Sequence, residues 1–225
     1  MRLPALLIAL VAAATSVVVG VAGGTPAAQA KDCVRPHGPL VAYGHSYLLS
    51  PQLGGAKASY LTLVATTLGV KPVIRAVNGG TTLNVDNLVH NGPTRWAPGS
   101  ADLVVIDSGI NDIGKKLPTA EWTGALRRVL TTFAVKPVPV ILLVRPLPVT
   151  APGHPGRDPK VVAAYAAAQR KVASDFAAVR IVDASGGWNP RLDLSPLDGL
   201  HPTTAGELRL AKAVQNVAQR AFCSS

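Results

Sequence analysis

Short apolar runs alternate with longer amphipathic stretches along this chain. Leu40 to Tyr43, Val73 to Val77, Asp102 to Asp107, Val138 to Val144 and Val179 to Val182 each read as a strand. Asp102-Leu-Val-Val-Ile-Asp107 is apolar throughout its centre, which suits a strand covered on both faces of a sheet. Between these runs the spacing turns helical. A stretch from about Ala56 to Leu68 stops at Gly69. Trp122, Ala125, Leu126, Val129, Leu130 and Phe133 fall on one helical face. Val161, Tyr165, Ala168, Val172 and Phe176 form a second such face, and Leu210, Val214, Val217, Ala218 and Ala221 a third. The last helix opens with Thr204 and Glu207, spaced as a capping box. A short helix around Val85 to Val89 fits within the polar connection from Leu83 to Ser100. Strands alternating with helices in this way predict a parallel, doubly wound α/β sheet with helices on both faces. The absence of repeats, low-complexity tracts and internal linkers predicts one domain, residues 31–225.

The beginning of the chain follows another pattern. Met1 to Ala30 carries Arg2 as its only charge, then a long apolar run, then Ala28-Gln29-Ala30 in a small-x-small arrangement. That is the form of an export signal, residues 1–30, with an uncleaved membrane anchor as the alternative. Export would make the protein extracellular and its cysteines oxidisable. Cys33 and Cys223 stand near the two ends of the mature chain and are expected to form a disulfide, with two unpaired thiols as the alternative.

Composition narrows the function classes. With 48% hydrophobic residues in 225, the chain can bury a core and is not disordered. Loss of the leader leaves 21 basic against 12 acidic residues, about +9. These charges are scattered, and aromatics make up only 4%, so a nucleic-acid partner is not expected. A solvated basic surface attracted to anionic cell-envelope polymers fits better. No HExxH, paired-cysteine or clustered-carboxylate pattern points to a metal, and no cofactor is expected.

The candidate chemistry lies at strand ends. In sheets of this kind sites form beyond the carboxyl ends of the strands. Ser46 follows the first strand, Gly79-Gly80 the second, Asn111 the third, and Asp198-Gly199-Leu200-His201 the fifth. A serine hydroxyl needs a base to become a nucleophile, and imidazole titrates near neutrality. Asp198 is spaced to accept from the imidazole of His201 and fix its tautomer. The backbone N–H groups of Ser46 and Gly80 and the amide of Asn111 are candidate oxyanion donors. Asp112 reads as a structural residue of the Asn111 turn, and Asp183, Asp193 and His154 are rival triad members. His45 is adjacent to Ser46 on an extended segment and should face the other way.

These blocks resemble the SGNH, or GDSL-like, hydrolases. Gly44-His45-Ser46 resembles the first block, Gly80-Thr81-Thr82 the second, Gly109-Ile110-Asn111-Asp112 the third and Asp198-Gly199-Leu200-His201-Pro202 the last. The resemblance implies a flavodoxin-like three-layer fold with a five-stranded parallel sheet and a Ser46–His201–Asp198 triad. It also implies an oxyanion hole from Ser46, Gly80 and Asn111. Leu48 stands where the second glycine of a Gly-x-Ser-x-Gly elbow would be, which argues against the other α/β-hydrolase arrangement. One position departs from the family pattern: His45 occupies the place where aspartate is usual.

The expected function is a secreted, monomeric serine esterase acting on a carboxylic ester, small or polymer-linked, such as an O-acyl sugar or a lipid. The alternatives are a non-catalytic envelope-binding domain that retains the fold, and an acyltransferase using the same triad.

Overall fold

The computed structural model describes residues 36–91, 101–135 and 138–223. The expected leader, Cys33 and the part of the Leu83–Ser100 connection beyond Asn91 lie outside the described residues. Five strands form one parallel sheet: β1 (Leu40–Gly44), β2 (Pro72–Ala76), β3 (Leu103–Asp107), β4 (Val140–Val144) and β5 (Val179–Val182), in the order β2-β1-β3-β4-β5. Each strand is joined to the next by helical chain, as parallel pairing requires. Strand order reverses between β1 and β3, which are paired Val41 to Val104 and Tyr43 to Ile106. The crevice beyond this switch point is where ligands bind in such sheets.

The helices are α1 (Tyr60–Leu68), α2 (Thr82–Asn91), α3 (Ile110–Gly114), α4 (Thr119–Val135), α5 (Pro159–Ala173), α6 (Pro190–Asp193) and α7 (Thr204–Cys223). Successive strand residues point to opposite faces, so the sheet has two cores. Val41, Tyr43, Val104, Ile106, Ile141 and Leu143 pack on one side with α2, α4 and α5. Leu40, Ala42, Leu103, Val105 and Leu142 pack on the other with α1 and α7. All six residues of the apolar stripe from Trp122 to Phe133 are buried on α4. Trp122 is fully buried among them, and truncating such a residue costs about 3–5 kcal/mol.

Several element boundaries differ from the sequence expectation. The stretch from Ala56 does not form one helix. Ala56–Ala58 is a separate 3-10 turn, and Ser59 is extended (φ −70°, ψ 152°) before α1 begins at Tyr60. The α2 helix runs from Thr82 to Asn91, longer than the segment its apolar residues marked. The α5 helix starts early because Asp158 caps it: its Oδ1 accepts from Lys160 N (2.8 Å), and Pro159 takes the first helical position. Its buried face is Val162, Tyr165, Ala166, Gln169 and Val172, and Phe176 lies beyond its end. Glu207 does not close a capping box. Its carboxyl group turns inward, with Oε1 2.6 Å from Ser50 Oγ and Oε2 accepting from Tyr60 N (2.7 Å).

Candidate active site

β1 ends where the chain must pass close to β3. A Cβ on Gly44 would lie 2.6 Å from Asp107 O, so only glycine fits there. Two residues later the backbone enters a 3-10 turn, Ser46–Leu48, which closes through Leu49 N to Ser46 O (3.0 Å). This places Ser46 at the carboxyl edge of the sheet, with a side chain nearly but not fully closed off from solvent, at 5% exposure.

The last expected block arrives on a loop sealed at its neck. Leu194 and Pro202 form an isolated antiparallel bridge, and Ser195 N donates to His201 O (2.7 Å). Gly199, at φ +62°, accepts through its carbonyl from Thr150 N (2.8 Å) and Ala151 N (2.9 Å), which docks the loop on the segment after β4. A Cβ on Gly199 would meet Thr150 Oγ1 at 2.6 Å. Tyr47 O–H donates to Leu200 O (2.7 Å), so the same loop is also held from the β1 side.

Within this frame three side chains join in a row. His201 Nε2 lies 2.9 Å from Ser46 Oγ, and His201 Nδ1 lies 2.7 Å from Asp198 Oδ2. Pairing with the carboxylate puts the ring proton on Nδ1 and leaves Nε2 to accept from the Ser46 hydroxyl. The other oxygen, Asp198 Oδ1, accepts from Leu200 N (2.9 Å) and His201 N (3.0 Å). Burial pulls the Asp198 carboxyl upward, but the His201 ring and these two N–H groups outweigh it and hold it below the usual range.

The expected anion donors are differently engaged. No acceptor for Ser46 N is found among the described residues. Asn111, in the first turn of α3, donates one amide hydrogen to Gly80 O (3.0 Å), which leaves the other available. The N–H of Gly80 donates to Val77 O (2.9 Å) and closes its own turn, so an oxyanion would have to share that hydrogen. Asp112 anchors this neighbourhood: both its oxygens accept from Thr82 N (3.0 and 3.1 Å), tying α3 to the start of α2. Burial raises the Asp112 carboxyl.

The sequence profile of the GDSL-like lipase/acylhydrolase family matches residues 42–209. The chain belongs to that family. Membership makes it a serine ester hydrolase by class. No curated protein sequence matches the chain. Among solved structures it is similar to a putative lipolytic protein of the G-D-S-L family from Desulfitobacterium hafniense (14% identity, TM-score 0.62, covering 80% of this chain and 98% of that one). It is also similar to an acetylxylan esterase from Geobacillus stearothermophilus, solved as a catalytic mutant (18%, TM-score 0.65, 82% and 95%). A third is an acetyl esterase mutant holding an acetate ion (14%, TM-score 0.63, 84% and 100%). At these identities the likeness establishes the fold: an α/β sandwich around a five-stranded parallel sheet.

Against the background of this GDSL-like family, the departure at His45 acquires a physical account. Its ring is buried, at 1% exposure. Nε2 lies 3.2 Å from Asp107 Oδ1 at the end of β3, and Nδ1 accepts from Tyr47 N (3.4 Å). Both nitrogens are thus turned away from the Ser46 hydroxyl. Asp107 Oδ2 accepts from Tyr60 O–H (2.7 Å). The imidazole supplies an acceptor inside the turn, and the carboxylate stands one ring-length behind it, on the neighbouring strand. The rival triad members are committed elsewhere. Asp183 pairs with Arg145, Asp193 accepts from Asn189 N and Arg209 Nε, and His154 caps the 3-10 turn Pro155–Arg157.

Sequence reading missed Asp107, Tyr47, Ser50, Tyr60 and Glu207, which form the buried polar floor under Ser46. Asp107 was visible only as the last residue of a strand. Its meaning depends on the β1–β3 pairing, which no local pattern encodes.

Proposed function

We propose that this GDSL-like hydrolase cleaves carboxylic esters through an acyl-enzyme, with Ser46 as nucleophile, His201 as base and Asp198 as the carboxylate that orients it. The observation that carries this reading is the 2.9 Å approach of His201 Nε2 to Ser46 Oγ, in a ring whose other nitrogen is held by Asp198. Ser46 Oγ attacks the acyl carbon as its proton passes to His201 Nε2. The imidazolium formed is stabilised by Asp198. Negative charge on the carbonyl oxygen is met by Ser46 N–H and the second amide hydrogen of Asn111, with Gly80 N–H sharing its hydrogen with Val77 O. Collapse of the tetrahedral intermediate returns the proton from Nε2 to the leaving alcohol. Water then repeats the sequence on the acyl-enzyme, releasing the acid and restoring Ser46.

The substrate class proposed is an O-acyl sugar or a lipid ester. The acetylxylan and acetyl esterases among the similar structures favour the short-acyl end of that range. Further parts of the reading are export on the leader Met1–Ala30, a Cys33–Cys223 bridge and a monomer with a basic surface suited to an anionic envelope. A fluorophosphonate probe should label the wild type and leave Ser46→Ala unlabelled, and equal labelling of both would reject the assignment. A hydrolysis screen from acetyl to palmitoyl esters would then fix the acyl length.

A further inference from the structure

The two segments that carry Ser46 and His201 meet at more points than the catalytic contact. Ser46 to Gln52 lies on one side and Leu200 to Glu207 on the other. Between them run His201 Nε2 to Ser46 Oγ (2.9 Å), Tyr47 O–H to Leu200 O (2.7 Å), Gln52 Nε2 to Pro202 O (2.6 Å) and Ser50 Oγ to Glu207 Oε1 (2.6 Å). The last is the most deeply buried, with Ser50 at 0% and Glu207 at 1% exposure.

Two features of that contact need a cause. Ser50 sits at φ +40°, ψ 56°, in the left-handed region that non-glycine residues seldom occupy. Glycine would adopt this conformation more easily, so what serine adds is its hydroxyl. That hydroxyl has one hydrogen and two acceptors within reach, Tyr47 O at 3.2 Å and Glu207 Oε1 at 2.6 Å. An ionised Glu207 would take the hydrogen and strand Tyr47 O. A protonated Glu207 resolves the conflict. Its Oε1–H donates to Ser50 Oγ, Ser50 donates to Tyr47 O, and Oε2 accepts from Tyr60 N–H (2.7 Å). The same Oε2 contact caps α1, whose own N-cap residue Ser59 makes no side-chain cap.

We propose that Glu207, as the neutral acid, is a positioning residue that holds the Ser46 turn against His201 by way of Ser50 and Tyr47. The proposal rests on the assignment of Ser46 and His201 above. The surroundings favour the neutral form. Among the described residues no ion pair includes Glu207. The ionisable groups around it are Asp107 with its partner His45, and Tyr47 and Tyr60, both pushed well above the ordinary tyrosine value by burial. Of the cations on α7, Arg209 pairs with Asp193. Burial, with the Asp107 charge adding to it, moves the Glu207 carboxyl up to about 7. Ionisation above that value would withdraw the hydrogen bond from Tyr47 O, one residue after the nucleophile.

The test is the rate of fluorophosphonate labelling of the full chain at about pH 6 and about pH 9, on either side of the shifted value. Glu207→Gln keeps a donor for Ser50 and an acceptor for Tyr60 N–H. It should label like the wild type at the lower pH and about fivefold faster than it at the higher pH, where the wild type has lost its clamp. Ser50→Gly accepts the positive φ and so keeps the fold, but removes the relay. Its labelling should fall about tenfold below the wild type at the lower pH and come close to it at the higher, where the wild type has already lost the clamp, with KM for p-nitrophenyl acetate unchanged. If Glu207→Gln tracks the wild type at both pH values, or Ser50→Gly labels as fast as the wild type at the lower pH, the positioning role is overturned. A wild type that is not labelled at all rejects the esterase assignment itself, and this proposal with it.

Discussion

His201–Asp198 and His45–Asp107 are the same chemical pair in two settings, a few residues apart at one edge of the sheet. The first is carried by a loop and is partly open, with side chains 21% and 41% exposed. The second joins the ends of two central strands and is closed to solvent, at 1% and 6%. In the first pair the far nitrogen of the imidazole is directed at a serine hydroxyl. In the second it receives a backbone N–H. What separates the proposed base from a brace here is therefore the third partner, since the histidine and the aspartate are common to both. An imidazole whose two nitrogens are both committed within a buried turn cannot exchange a proton with substrate. One that shares a crevice with a hydroxyl and with water can.

Substitutions should divide along the same line. The largest effects belong to the open pair. Ser46→Ala or His201→Ala should lower kcat by about 10⁴-fold or more while the melting temperature stays near that of the wild type, and Asp198→Asn should follow with about 10³-fold or more. Steady-state kinetics beside a thermal melt checks this, and a collapse of the melt in His201→Ala would erase the distinction between the pairs. Next comes Asp107→Ala, which strands a buried imidazole and the Tyr60 hydroxyl. A destabilisation of about 3–5 kcal/mol is expected from urea unfolding. His45→Asp restores the residue usual in the family but sets two carboxylates together over Glu207. It should cost about 2–3 kcal/mol at neutral pH and less in acid, where one of them takes up a proton. A His45→Asp protein as stable as the wild type and more active would mean that the buried pair is dispensable.

The smallest effects are those of pH. Glu207 is raised from 4.5 to about 7 in the fold, so its contribution is complete below its ordinary pKa and is lost as pH climbs from about 4.5 to about 7. Glu207→Gln should flatten that part of a stability–pH curve. Asp198 acts in the opposite sense. Its carboxyl is held down, so its contribution is present above the ordinary value and is lost as pH falls through the depressed one. That loss should be slight, because the carboxylate is 41% exposed and screened.

The contrast between the pairs also marks where sequence reading stops. Continuous apolar runs such as Leu103 to Ile106 announce central strands, because a strand covered on both faces has no polar side to interrupt the run. The blocks around Ser46, Asn111 and His201 were legible as short local patterns at strand ends. The His45–Asp107 pair was not, since the two residues come together only through a pairing between strands that are distant in sequence. Glu207 misled for a related reason. Its spacing from Thr204 suited a capping box, but spacing does not say which way a long side chain turns. Here the uncapped start of α1 and the hydroxyl of Ser50 drew it inward. The split before α1 was equally hidden, because Ala56 to Ala58 have ordinary helix-forming residues, and only Ser59's extended backbone breaks the run.

The bridge between Leu194 and Pro202 has a mechanical consequence. A segment pinched at its base and docked at its tip through Gly199 cannot bend piecemeal, so Asp198 and His201 must shift as one rigid flap or stay where they are. Acyl or alcohol groups that outgrow the space beside that flap should then meet a threshold in size, with turnover dropping abruptly along a homologous ester series and not tapering from one member to the next.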